Sequence, residues 1–174
     1  MSLEGWSPMS KLILIRHAKS DWSGNVNDLH RGLNRRGYNS CRVISKELKK
    51  RIDKPDLFLI SPALRAKLTY ENIFLNWDDK DNNVFVEEDL YHASIEQIKK
   101  KLTSKVLGFS TVVIIGHNPI LNLLMHQLTT RGHNKLPTNL VTCGVVMINY
   151  SENNFKAPVF GNGEVSDYFF PRMY

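Results

Sequence analysis

Short apolar runs alternate with amphipathic stretches along the first three quarters of the chain. The runs Leu12–Ile15, Leu57–Ile60 and Thr111–Ile115 are aliphatic and partly β-branched. They are too short for helices and read as buried strands. Between the first two, Cys41, Ile44 and Leu48 fall at helical spacing behind Asn34, a capping residue, until Asp53-Lys54-Pro55 closes the pattern. Pro62 suits the first turn of a helix running to about Asn76, with Leu64, Leu68 and Leu75 among its apolar positions. Val84–Val86 predicts a short strand, and Ser94 with Gln97 predicts a capping box opening a helix to about Leu107. Pro119 opens another helix over Ile120–Leu128, and the tail predicts strands over Thr142–Tyr150 and Asn154–Phe160. Strands alternating with helices, then a terminal β pair, predict an α/β fold: a three-layer α/β/α sandwich with a mostly parallel central sheet.

A chain of 174 residues is one domain of ordinary size, placed at 11–174. Met1 to Ser10 has no basic start and no apolar stretch of signal-peptide length. It is expected to be a disordered arm or vector-derived residue, with Met9 as an alternative native start, and the protein is expected in the cytoplasm. No apolar run reaches the roughly 20 residues of a membrane helix, so no membrane partner is expected. Cys41 and Cys143 are too few for a disulfide framework or zinc motif and are expected to be buried thiols.

A net charge of +6 favours acidic partners. The basic runs Lys46–Arg51 and Lys99–Lys101 lie on amphipathic helix patterns and read as solvated faces. No basic stripe is interleaved with aromatics, so nucleic acid is not expected as a partner.

Candidate chemistry gathers at the ends of the three apolar runs. The first delivers Arg16-His17-Ala18-Lys19-Ser20, the second Ser61-Pro62-Ala63-Leu64-Arg65, the third Gly116-His117-Asn118-Pro119. The carboxyl edge of an open α/β sheet is where such folds place their sites. His17, Arg65 and His117 stand 48 and 52 residues apart, a spacing that suits βα units returning to one edge. The polar loop Asp21–His30 between the first strand and helix suits a mobile, substrate-facing segment.

These residues, with HRGLNRRG at 30–37, LYHAS at 90–94 and LPT at 136–138, resemble the histidine phosphatase (phosphoglycerate-mutase-like) superfamily. Within it the likeness is to the small bacterial phosphohistidine phosphatases of the SixA type. The resemblance implies the sandwich fold, no metal or other cofactor, a nucleophile at His17, a phosphate contact at His117, and an arginine at Arg31 that also reaches phosphate. His30, His126 and His133 match no motif and are expected to be surface or structural residues. Asp21 and Lys19 are close enough in sequence to His17 to tune substrate approach.

The chemistry of the residue types agrees. A phosphoryl group spreads charge over its oxygens at the transition state, and guanidinium forks bind such oxygens bidentately without deprotonating. Arg16 and Arg65 are therefore assigned to the phosphate. An imidazole nucleophile must be neutral, and nearby arginines disfavour its protonation. His17 is expected to form a covalent phosphohistidine that water hydrolyses.

Three positions depart from the broader superfamily. Ala18 replaces the usual Gly, and Gly32 stands where Pro is usual, which should loosen the loop carrying Arg31. Where many members carry a proton-donating acid, this chain has His92, with Glu87, Glu88 and Asp89 just upstream. A weak acid matters less when the leaving group is an imidazole. The expected substrate is thus a phosphohistidine in a signalling or phosphotransfer protein, reached through a shallow, unroofed pocket. The alternatives are a small-molecule phosphomonoesterase or mutase, or a silent phosphoprotein-binding module. A metallohydrolase lacks carboxylates at ligand spacing beside His17 or His117, and no Gly-x-Ser-x-Gly elbow supports a serine hydrolase.

Overall fold

The three apolar runs become neighbouring strands whose carboxyl ends lie level. A computed structural model describes residues 10–74, 77, 83–92, 94–106, 108–130, 136–150 and 160–174. Among them the elements run β1 (Ser10–Arg16), α1 (Arg35–Lys49), β2 (Leu57–Ile60), α2 (Leu64–Phe74), β3 (Asn83–Val86), α3 (Asp89–His92), α4 (Ile95–Lys105), β4 (Thr111–Gly116), α5 (Ile120–Leu128), β5 (Val145–Tyr150) and β6 (Glu164–Phe169). The six strands form one sheet in the order β3-β2-β4-β1-β5-β6. β1, β2, β3 and β4 pair in parallel, and β5 and β6 add an antiparallel edge. Arg16 is in register with Gly116, and Ile60 with Ile115, so the residues that follow each strand emerge side by side.

Alternation along β1 explains the layers. Ile13 and Ile15 pack with Cys41, Ile44, Leu48, Phe58 and Phe74 under α1 and α2, whereas Leu12 and Leu14 pack with Ile98, Leu102, Leu124, Met125 and Leu128 under α4 and α5. Both faces of the sheet are thus covered at its centre, which is why β2, β4 and the Leu12–Ile15 stretch of β1 are apolar and buried, whereas the edge strands β3 and β6 carry exposed positions. No helix among the described residues is long and apolar enough to cross a membrane.

Several predicted boundaries shift for local reasons. Asn34 caps α1 through its side chain on the Gly37 N–H, and Ser94 and Gln97 form the expected capping box on α4. Pro62 stands ahead of α2 rather than in its first turn, since Ala66 and Lys67 are the first N–H groups to bond back, to the Ala63 carbonyl. α1 ends at Lys49, before the Asp53-Lys54-Pro55 breaker, because Arg51 and Ile52 both turn back to the Leu48 carbonyl. β5 begins at Val145 rather than Thr142: Cys143 has φ 58° and the Gly144 N–H closes a turn onto the Val141 carbonyl. The predicted strand over Asn154–Phe160 lies outside the described residues except for Phe160, which is in a turn. The last described strand is instead β6, whose buried residues are Val165 and Phe169. The short α3 was not expected. The N-terminal arm, Leu75, Asn76, Leu107 and His133 also lie outside the described residues, while Ser10 already belongs to β1.

Candidate active site

The exit of β1 is fixed by backbone bonds from three directions. His17 N–H donates to the Gly116 carbonyl, Ala18 N–H to Thr69 Oγ1 of α2 at 2.9 Å, and Cys143 N–H to the carbonyls of Arg16 and His17. Farther along, Asn34 N–H donates to the Lys19 carbonyl at 3.0 Å. A Cβ at Gly37 would sit 2.3 Å from that same carbonyl oxygen, so only glycine allows α1 to approach this loop.

His17 and His117 are both 9% exposed, with ring centroids 4.8 Å apart. His17 Nδ1 lies 2.8 Å from the Ala18 carbonyl oxygen, which can only accept. That contact assigns the proton to Nδ1 and leaves the Nε2 lone pair free. Burial above all, with Arg65, Arg16 and Arg31 adding to it against the opposing bond to Ala18, lowers the His17 pKa to about 4. Burial also brings His117 down to about 3, reinforced by His17 and Arg65. Both rings are therefore neutral near pH 7.

Ser61, buried at the end of β2, places Oγ 2.6 Å from His117 Nε2. With Ser61 donating, His117 keeps its proton on Nδ1, a buried atom that has no hydrogen-bond partner among the described residues. Arg16 Nε and Arg65 Nε are likewise buried without a partner. Buried donors of this kind are costly unless something accepts from them, and an oxyanion is the natural acceptor. Arg16 is otherwise tied by Nη1 to the Leu140 carbonyl at 2.9 Å.

Arg31 is not a surface residue: it is buried, its Nη1 donates to Ser20 Oγ at 2.6 Å, and its guanidinium lies 3.5 Å from the centre of the Trp22 ring. The expected loosening at Gly32 is offset by an isolated bridge between Ser20 and Leu33 and by the Asp21 N–H bond to the Gly32 carbonyl at 2.9 Å. Arg31 and Arg65 converge on Asp28, a residue that no motif in the sequence singles out. Arg65 Nη2 bonds Asp28 Oδ2 at 2.9 Å, Arg65 Nη1 bonds the Asp28 carbonyl at 2.6 Å, and Arg31 Nη2 pairs with Oδ1. Tyr91 Oη donates to Asp28 Oδ2 at 2.6 Å. The Tyr91 bond and both arginines hold the Asp28 carboxyl well below the usual carboxylate range against partial burial. The signal in the sequence was the three-residue spacing from Asp28 to Arg31, which brings the two together in one tight turn.

His92 is exposed and stacks edge-on against Tyr91, 4.0 Å between centroids. It is Tyr91, 5.5 Å from the His117 ring, that reaches the site. Glu87 is buried between Lys101 and Lys105, Asp89 pairs with Lys101, and Glu88 is exposed. Glu87 and Asp89 fasten α3 to α4. His30 and His126 are exposed, as expected, and Cys41 and Cys143 are both buried free thiols. Among the described residues no three His, Cys, Asp or Glu side chains group in a way that would hold a metal.

The sequence matches no protein-family model and no curated protein. Solved structures do match. The protein histidine phosphatase SixA complexed with tungstate superimposes with a TM-score of 0.77 at 21% identity, over 94% of this chain and 98% of that one. This chain has the SixA fold. A protein named as a phosphohistidine phosphatase SixA, from Agrobacterium tumefaciens, matches with a TM-score of 0.76 at 23% identity over 92% and 97% of the two chains. The alpha-ribazole phosphatase from Shigella flexneri follows at 0.60 and 17%, over 89% and 95%. At these identities the likeness to SixA is one of fold, and the chemistry rests on this chain's own residues.

Proposed function

We propose that the protein is a metal-independent phosphatase acting through a covalent phosphohistidine, with phosphohistidine in another protein as its substrate. The observation that carries this reading is a buried neutral imidazole, His17, with its proton fixed on Nδ1 and a free lone pair at Nε2, among Arg16, Arg31, Arg65 and His117. The tungstate on the SixA structure, an oxyanion, is consistent with it.

In the first step the His17 Nε2 lone pair attacks phosphorus, and the bond from phosphorus to the substrate imidazole breaks. The electron pair of that bond returns to the departing nitrogen, leaving a neutral ring whose other nitrogen keeps its proton. His17, bearing phosphoryl on Nε2 and a proton on Nδ1, takes over the positive charge, so the transfer is nearly balanced. In the second step water attacks phosphorus, the Nε2–P bond breaks, and both water protons leave with dihydrogen phosphate. The Ala18 carbonyl stabilises the cationic phospho-imidazole through Nδ1–H. Arg16, Arg65 and His117 supply donors to the phosphoryl oxygens.

The substrate preference follows from the leaving group. An alkoxide needs a proton, and the acids near the site are not available to give one: Glu87 and Asp89 are locked to lysines and Asp28 is held ionised. A departing imidazole needs none. The test compares a phosphohistidine-bearing phosphocarrier with simple sugar phosphates in the presence of chelator. The expected result is turnover of the phosphocarrier alone. Efficient, His92-dependent turnover of a sugar phosphate would favour the small-molecule reading instead.

A further inference from the structure

The geometry points to Asp28 as the residue that sets which anions the site accepts: its carboxylate occupies one terminal nitrogen of Arg31 and one of Arg65, and an incoming phosphoryl group has to displace it to reach them. This inference deepens the phosphatase reading and rests on it. Both terminal nitrogens of Arg65 are committed to Asp28, one to the carbonyl and one to Oδ2. Arg31 divides its two between Ser20 Oγ and Asp28. Arg65 Nε, Arg16 Nε and His117 Nδ1 are buried at the site without a partner among the described residues. Carboxylate and phosphate oxygens present the same acceptor geometry to a guanidinium, so the two compete for the same nitrogens.

The structure also distinguishes the fixed partner from the movable one. The side chains of Arg31 and Arg65 are 9% and 6% exposed and anchored by Ser20 and by α2. The Asp28 side chain is 47% exposed, on a single 3-10 turn, Asp28–His30, that buries no residue and is capped by Asn27. The carboxylate can turn outward without disturbing the core, and the arginines cannot. Its loop also carries the exposed Val26 and the exposed Trp22, whose ring lies against the Arg31 guanidinium. Contacts made there by a protein substrate would help to displace Asp28, whereas free phosphate has no such help. After hydrolysis, the return of Asp28 to the arginines expels inorganic phosphate.

The experiment measures binding of inorganic phosphate by calorimetry to the wild type, Asp28→Asn, Tyr91→Phe and Arg65→Ala. Removing the resident charge should tighten phosphate binding roughly tenfold or more in Asp28→Asn, on the scale of one charge-assisted contact. Tyr91→Phe removes one donor to the carboxylate and should tighten binding by about two- to fivefold; it decides the matter if Asp28→Asn does not fold. Unchanged or weaker binding, with Arg65→Ala having lost it, overturns the role of Asp28 and leaves the phosphatase reading intact. If Arg65→Ala binds phosphate as the wild type does, both fall together.

Discussion

Acidification separates a buried neutral nucleophile from an ordinary surface histidine. The His17 pKa is lowered from 6.5 to about 4, chiefly by burial. At pH 5 an imidazole of pKa 6.5 is only about 3% neutral, whereas one of pKa 4 is about 90% neutral, a difference of roughly 30-fold in competent enzyme. The acid limb of kcat/KM on an aryl phosphate, corrected for the second ionisation of the phosphate near pH 6, should therefore fall near pH 4. The same shift bears on stability, and its sign is opposite to that of a histidine gaining an acidic partner. The unfolded chain takes up its proton first, so the contribution of His17 is complete above pH 6.5, declines between 6.5 and 4, and is gone below. A shift of 2.5 pH units corresponds to roughly 3 kcal/mol. Urea melts from pH 7 to 4 should show the wild type losing stability more steeply than His17→Asn. An NMR titration that places the His17 ring near 6.5, with the acid limb at the same pH, would refute the account of a desolvated nucleophile.

Arg16→Lys and Arg65→Lys should each lower kcat/KM by roughly 10- to 150-fold, the equivalent of about 1.5–3 kcal/mol for a charge-assisted contact, because lysine keeps the charge without the fork. Steady-state kinetics on a phosphohistidine protein checks this, and near wild-type rates in both would show that the guanidinium geometry is irrelevant. His92→Ala should retain most phosphohistidine phosphatase activity, since the ring is exposed and touches Tyr91 rather than the arginines. A hundredfold loss in that variant would identify His92 as an essential proton donor.

Most of the fold was legible because its signals are local. The aliphatic runs of β1, β2 and β4, the Asn34 and Ser94 caps and the Pro119 helix start each specify an element without reference to the rest of the chain. Parallel pairing then brings His17, Ser61 and His117 together at level strand ends. What was missed depends on contacts distant in sequence or on backbone conformations that no residue type announces. β5 starts late because Cys143 adopts positive φ, which has no signature at a cysteine. Asp28 read as one polar residue among many in a loop, because its partners Arg65 and Tyr91 lie 37 and 63 residues away. In the sequence His92 outweighs its neighbour Tyr91 because an imidazole carries more obvious chemistry than a hydroxyl, yet the turn of α3 directs the tyrosine to the site.

The central claim is that the phosphoryl group passes through His17. Mixing the protein with a 32P-labelled phosphohistidine phosphocarrier, quenching in alkali within milliseconds and mapping the labelled peptide tests it directly. The account predicts an acid-labile, base-stable label on the peptide containing His17, present in the wild type and absent from a folded His17→Asn variant that no longer turns over. Rapid turnover by the His17→Asn variant, or a label on any other residue, would contradict it.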